Sequence, residues 1–211
     1  MSYKKELYKK QAATLIQNLQ KRNIEGIYCE SKEQAVEKAL KIMGEDASVS
    51  WGGSTTLHEC GLMEKLHESG LTLIDRDKAP TREEKIEKEL EAFSCNYYLM
   101  STNAITMDGQ LINIDGYGNR VAALIYGSDH VLILAGMNKI VLDVDAGMDR
   151  AQNIAASANA LRLDAKTPCG ATGVCGDCMS AETLCCQIVI TRRSRIAGRI
   201  KVILIGEELG Y

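Results

Sequence analysis

Short runs of apolar and β-branched residues alternate along this chain with segments of helical periodicity, and that alternation limits the fold more than any other feature. Gly26–Cys29, Ala47–Trp51 and Leu71–Ile74 have the length and composition of strands. Between and after them come helical patterns opened by Ser31 and running to about Met43, over Ser54–Ser69 and over Arg82–Glu91. Strands separated by helices of about 10 to 15 residues form a mainly parallel α/β sheet, because a parallel pair needs a crossover and the helix is that crossover. Residues 1–22 add an N-terminal helix: Leu7, Ala12, Leu15, Ile16 and Leu19 recur at helical spacing and give one apolar stripe. The stripe is expected to pack on the main body, with a homodimer contact as the alternative.

The middle of the chain has a different texture. Asn96–Thr102, Ala104–Thr106 and Gln110–Ile114 are short extended runs separated by Asn and by an Asp108-Gly109 pair, a strong hairpin signal. A small antiparallel insertion is expected there. A short helix at Arg120–Tyr126, a buried strand at His130–Ala135, a helix from Asp143 to about Ala158, and strands at Gln187–Thr191 and Ile200–Ile205 complete the reading. With two prolines in 211 residues and no low-complexity linker, residues 1–211 read as a single domain.

Composition excludes several classes. Lys and Arg total 25 against 28 Asp and Glu, so no basic footprint for nucleic acid is present. The longest apolar runs, such as Val131–Gly136, fall far short of the roughly 20 residues that span a bilayer. The Lys-rich start lacks the apolar core of a secretory signal, which gives a cytoplasmic location as the expectation. Aromatic residues make up 5%, which argues against a stacked nucleotide cofactor.

Two segments carry the candidate chemistry of an anion site. After the second strand, Gly52-Gly53-Ser54-Thr55-Thr56 opens a helix. Glycines let a backbone approach a ligand, hydroxyls donate to it, and the amides at a helix start favour negative charge. The pattern is neither a dinucleotide fingerprint nor a P-loop. Glu59 follows four residues after Thr55 as a candidate acid or base, ranked above His58. In the central segment, Asn103, Asn113, Asp115, Asn119 and Arg120 offer more hydrogen-bonding capacity than a hairpin needs. Arg120 and Asn119, next to a Gly-x-Gly turn, suit a phosphate or carboxylate. Glu59 and Asp115 are the catalytic candidates; Gly52, Gly53, Ser54, Thr55, Thr56, Asn103, Asn119 and Arg120 are the binding candidates.

The third feature is a cysteine-rich loop over residues 168–186. Cys169, Cys175, Cys178, Cys185 and Cys186 fall in a C-x5-C-x2-C-x6-C-C pattern. No histidine lies nearby, so a metal there would be held by thiolates alone, as zinc or as an iron–sulfur cluster. Cys169, Cys175, Cys178 and Cys185 are the candidate ligands, because Cys186 leads into an apolar strand. A Cys175/Cys178 redox pair and plain free thiols remain alternatives. Arg192, Arg193, Arg195 and Arg199 follow and read first as a solvated basic face.

Trp51-Gly52-Gly53-Ser54-Thr55-Thr56 with Glu59, Thr102-Asn103-Ala104 with Asp108-Gly109, Asn113-Ile114-Asp115-Gly116 with Asn119-Arg120-Val121, and Ala135-Gly136-Met137-Asn138-Lys139 together resemble the LUD domain of lactate-utilisation proteins. The resemblance runs from about Ala12 to Gly206. It implies a layered α/β fold similar to the NagB/RpiA/CoA-transferase superfamily, with a ligand pocket formed by loops at strand C-termini. It also implies a role in bacterial carbon metabolism, beside iron–sulfur partner proteins, in oxidation of a small anionic metabolite such as lactate. An oxidoreductase component or accessory subunit is the leading reading. An isomerase or acyl/CoA-type transferase on the same fold, or a non-catalytic zinc-stabilised binding subunit, are the alternatives.

Overall fold

A computed structural model describes residues 3–211. Helix α1 (Tyr3–Lys21) leads into β1 (Ile24–Cys29), and α2 (Lys32–Met43) connects β1 to β2 (Ser48–Trp51). The Ser31 hydroxyl accepts the Gln34 N–H and so caps α2, as its position before the periodic run predicts. The stretch expected as one helix after β2 is two: α3 (Thr55–Glu59) and α4 (Leu62–Glu68). Gly61 lies between them at φ +80°, a left-handed conformation that ends one helix and re-aims the next.

Next come β3 (Thr72–Leu73), α5 (Arg82–Glu91), β4 (Tyr97–Met100), the hairpin β5 (Ala104–Thr106) and β6 (Leu111–Asp115), α6 (Asn119–Ile125), β7 (His130–Gly136) and β8 (Ile140–Val141). Helix α7 (Val144–Arg150), capped by Asp143, runs through a wide π turn at Ala151–Ala156 into α8 (Ser157–Arg162). A short α9 (Pro168–Thr172) precedes β9 (Gln187–Thr191) and β10 (Ile200–Ile205).

Six strands form one parallel sheet in the order β1-β10-β7-β4-β2-β3. The sequence placed Asn96–Thr102 in the antiparallel insertion; instead β4 runs parallel between β2 and β7 at the centre of the main sheet. Burial on both faces makes such a strand a continuous apolar run, here Tyr98-Leu99-Met100, which has no alternation to reveal it. The insertion is real but larger than the hairpin. β5 and β6 are antiparallel, β9 adds to β6, and β8 joins β5 in parallel to complete a mixed four-stranded sheet.

The period of two divides the core. Val131, Ile133 and Ala135 of β7 pack with α1, α6 and the hairpin, through Leu15, Leu19, Leu124 and Leu111. Leu132 and Leu134 face the other layer, with Ala35, Val36 and Ala39 of α2, Leu57 of α3, and Leu62 and Leu66 of α4. Ala12, Leu15, Ile16 and Leu19 of the α1 stripe thus lie on its own sheet, while Leu7 is exposed. Among the described residues no helix is long and apolar enough to cross a membrane.

Candidate functional site

All six parallel strands point the same way, so the turns after β2, β4 and β7 meet at one edge of the sheet, where open α/β sheets hold ligands. There they enclose a cavity of about 680 Å³. Its wall takes Gly53–Thr56 from the turn after β2, Ser101–Asn103 after β4, and Lys139 after β7. Asp115, Asn119 and Arg120 come from the β6–α6 turn, and Arg162 and Tyr211 from the periphery. Two segments separated by some 60 residues in sequence therefore converge on one space. Four cationic side chains (Arg76, Arg120, Lys139, Arg162) line it against two carboxylates (Asp115, Glu182).

Arg120 is the hub of the floor. It donates from Nη1 to Asn113 Oδ1 at 2.6 Å and from Nη2 to the Ile114 carbonyl at 2.6 Å. Longer bonds reach the Ser101 carbonyl at 3.4 Å and Asn103 Oδ1 at 3.5 Å. Its Nε lies 3.6 Å from Asp115 Oδ2. Burial pulls the Arg120 pKa below its ordinary value, and the Asp115 carboxylate offsets part of that. Gly52 does not line the cavity. A Cβ there would lie 2.9 Å from Arg120 Cδ and 3.1 Å from the Tyr98 hydroxyl, so its missing side chain makes room for the arginine.

The other candidates divide into groups that are free and groups already engaged. Ser54 Oγ accepts the Leu57 N–H and caps α3, and the buried Thr56 hydroxyl donates to the Leu209 carbonyl. Because α3 has only five residues, its dipole is a minor part of any anion field. Asn103 Oδ1 accepts the Ile114 N–H at 2.8 Å, which among the described residues leaves its Nδ2 amide without an acceptor. Asn119 donates to Glu89 Oε1, which also takes Arg76 Nη1 at 2.9 Å. Asp115 accepts the Gly118 and Val121 N–H groups and fixes the start of α6. Glu59 lies outside the cavity wall and accepts the Gly210 N–H at 2.5 Å. Two residues of the wall carry a buried polar atom with no hydrogen-bond partner, Ser101 at its hydroxyl and Arg76 at Nε, a condition native proteins rarely leave unmet.

Lys139 was not among the residues the sequence singled out for binding. It is 3% exposed, and its amine donates to the main-chain oxygen of Tyr211 at 3.0 Å. Burial, then the Arg150 and Arg120 charges, push its pKa down to about 7, with Glu59 opposing weakly. The available signal was positional: a lysine three residues beyond a fully buried strand stands at the edge where ligands bind. Arg199, read as part of a solvated basic face, is instead buried and donates to the Ala123, Leu124 and Ser128 carbonyls, closing the C-terminus of α6.

Cys169, Cys175, Cys178 and Cys185 line a second, smaller cavity of about 120 Å³. Cys186 lies on the large cavity instead. Ala156, Thr183 and Leu184 belong to both walls. All eight cysteines are free thiols, and among the described residues no three metal-ligating side chains are close enough to hold an ion. The thiols differ in character: burial pushes Cys185 up to about 11, whereas hydrogen bonding, chiefly to Ser180, lowers Cys178.

With this geometry in view, comparison with known proteins is specific. The family model described as the LUD domain matches residues 12–205. The structure resembles the crystal structure of a DUF162 family protein from Deinococcus radiodurans at 1.70 Å resolution. That likeness has a TM-score of 0.53 at 12% identity, covering 94% of this chain and 98% of the other, and it bears on the fold alone. No curated protein matches the chain.

Proposed function

The chain belongs to the LUD domain family, and from that premise we propose that it binds a small anionic metabolite in the cavity at the C-terminal edge of the main sheet, as an oxidoreductase component or accessory subunit in oxidation of a lactate-like organic acid. The orphaned Ser101 hydroxyl carries this reading: a small rotation of a side chain on the wall of a cavity rich in cationic side chains would let an anion accept its unmet hydrogen bond. Asn103 Nδ2 and the Thr55 hydroxyl supply further donors, while Arg120 and Lys139 supply positive potential. The volume suits a small metabolite. Glu59, held by the Gly210 amide, is poorly placed to attack a thioester, so the acyl- or CoA-transfer alternative is not adopted.

The test is calorimetric titration with L-lactate, pyruvate, malonate and inorganic phosphate. Saturable binding of one carboxylate or phosphate per chain is expected; absence of heat from all four would refute it.

A second reading concerns the thiols, which converge on one cavity although they are spread over 17 positions of sequence from Cys169 to Cys185. Brought within bonding distance of one centre, they would hold zinc or an iron–sulfur cluster, with iron–sulfur proteins as the natural electron partners. Metal and acid-labile sulfide analysis on anaerobically purified protein distinguishes the two, and neither metal nor sulfide would leave free thiols.

A further inference from the structure

The edge of a sheet presents unpaired main-chain N–H and C=O groups, and proteins blunt such edges with very short strands, charges or bulges. Three of the four sheet edges here follow that rule. β3 and β8 are two residues long, and β1 carries Glu25, paired with Lys201. The fourth edge is β9, Gln187-Ile188-Val189-Ile190-Thr191, rich in β-branched residues and free of charge, proline and glycine. β6 lies on one side of it, and among the described residues no hydrogen bond reaches its main chain from the other side. Its side chains are open as well. Ile188 and Ile190 stand beside Ile114 and Ile112 of β6, which are buried, yet they are themselves 49% and 42% exposed. The apolar layer that covers β6 therefore stops one strand short of the edge. Met179, almost fully exposed, shares the wall of the small cavity with Ile188 and extends the patch.

We propose that β9 pairs with β9 of a second copy of this chain, antiparallel about a two-fold axis at Val189, so that two four-stranded sheets become one continuous sheet. An axis at the middle residue pairs all five positions, and it sets Ile188 of each copy against Ile190 of the other on one face. The charges that flank the strand are complementary under the same axis. Arg192, Arg193 and Arg195 follow β9, whereas residues 167–186 before it hold Asp177 and Glu182 and no basic residue. Antiparallel pairing brings the basic end of one copy to the acidic approach of the other; parallel pairing would set arginines against arginines. The next pair outward places Arg192 of one copy opposite Cys186 of the other, a wall residue of the large cavity. Such pairing is isologous and closed, because each copy offers one such edge and both are used.

Sedimentation velocity and light scattering on the full chain, from about 1 to 100 µM, the range suited to a small interface, test this directly. A dimer with twice the mass of one chain is expected. A chain that stays monomeric overturns the proposal and leaves the edge to a different protein, and open-ended assembly overturns the closed two-fold pairing. Ile190→Lys puts a lysine against Ile188 twice per dimer and should raise the dissociation constant about 100-fold, roughly tenfold at each position. Ile86→Lys, at an exposed position of α5, should leave it unchanged. A dimer that survives Ile190→Lys refutes this interface. Hydrogen–deuterium exchange on the wild-type dimer reads the same edge independently: amides of residues 187–191 that point away from β6 should be protected, and exchange there at the rate of a free loop contradicts the pairing. Because that readout is on the wild-type chain, a variant that folds poorly does not obscure it.

Discussion

Replacing Arg120 by Met should destabilise the protein by about 3–5 kcal/mol, the usual loss when one partner is taken from a buried ionic network. The magnitude follows from what the guanidinium does. Its two 2.6 Å bonds satisfy Asn113 Oδ1 and the Ile114 carbonyl, and it stands 3.6 Å from the Asp115 carboxylate. Hydrogen bonds to a charged group contribute about 1.5–3 kcal/mol each. Relief of the arginine's own desolvation reduces the sum, which is why the expected loss is below two full bonds plus an ion pair. For a chain of this length, about 2–4 °C is lost per kcal/mol, so the midpoint should fall by roughly 6–20 °C. Urea titration of ligand-free protein, with the m-value unchanged, measures it directly. Arg120→Lys keeps the charge but cannot bridge both acceptors, and should fall between wild type and Met. A loss below about 1 kcal/mol for Arg120→Met would show that the β6–α6 turn holds itself together, and the hub argument would be wrong.

Other outcomes follow from the same geometry. Lys139 has its pKa lowered from 10.5 to about 7, so between those values the unfolded chain binds the extra proton and this residue's contribution to stability rises with pH, by at most about 1.4 kcal/mol per unit. Lys139→Met should remove that rise, and superimposable pH–stability curves would contradict it. Iodoacetamide under metal-free conditions should alkylate Cys178 well before Cys185 and the buried Cys95, both pushed up to about 11; mass mapping that finds Cys185 first would refute the ordering. Gly136→Ala places a Cβ 2.6 Å from the Leu209 amide and 2.8 Å from the Glu207 carbonyl, so denaturant midpoints should report a loss of about 1–3 kcal/mol from overpacking.

The alternation of strands and helices made the parallel sheet legible, because crossover helices leave a periodic signal wherever they are solvated on one face, as α2 and α5 are. Two features were hidden. β4 is buried on both faces and shows no period, so its Asn-flanked ends made it look like part of the insertion. Gly61 inside a helical pattern reads as a tolerated glycine until its left-handed backbone shows a break. Within the site, residue types marked the turns that converge, and Gly53–Thr56, Asn103, Asn119 and Arg120 do line one cavity. What sequence could not show is which groups are already engaged. Asp115 and Glu59 accept main-chain N–H groups, Gly52 makes room for Arg120, Lys139 donates to Tyr211, and the Ser101 hydroxyl has no partner, all known only from burial and partners in three dimensions.

Calorimetric titration of malonate at about pH 6.5, below the depressed Lys139 pKa, tests the central claim most directly. One site per chain is expected. Affinity should weaken by about tenfold in Lys139→Met, a loss of about 1.4 kcal/mol, and stay unchanged in Lys65→Ala on the exposed face of α4. No binding, or equal binding in wild type and Lys139→Met, would contradict a cationic metabolite site at the edge of this sheet.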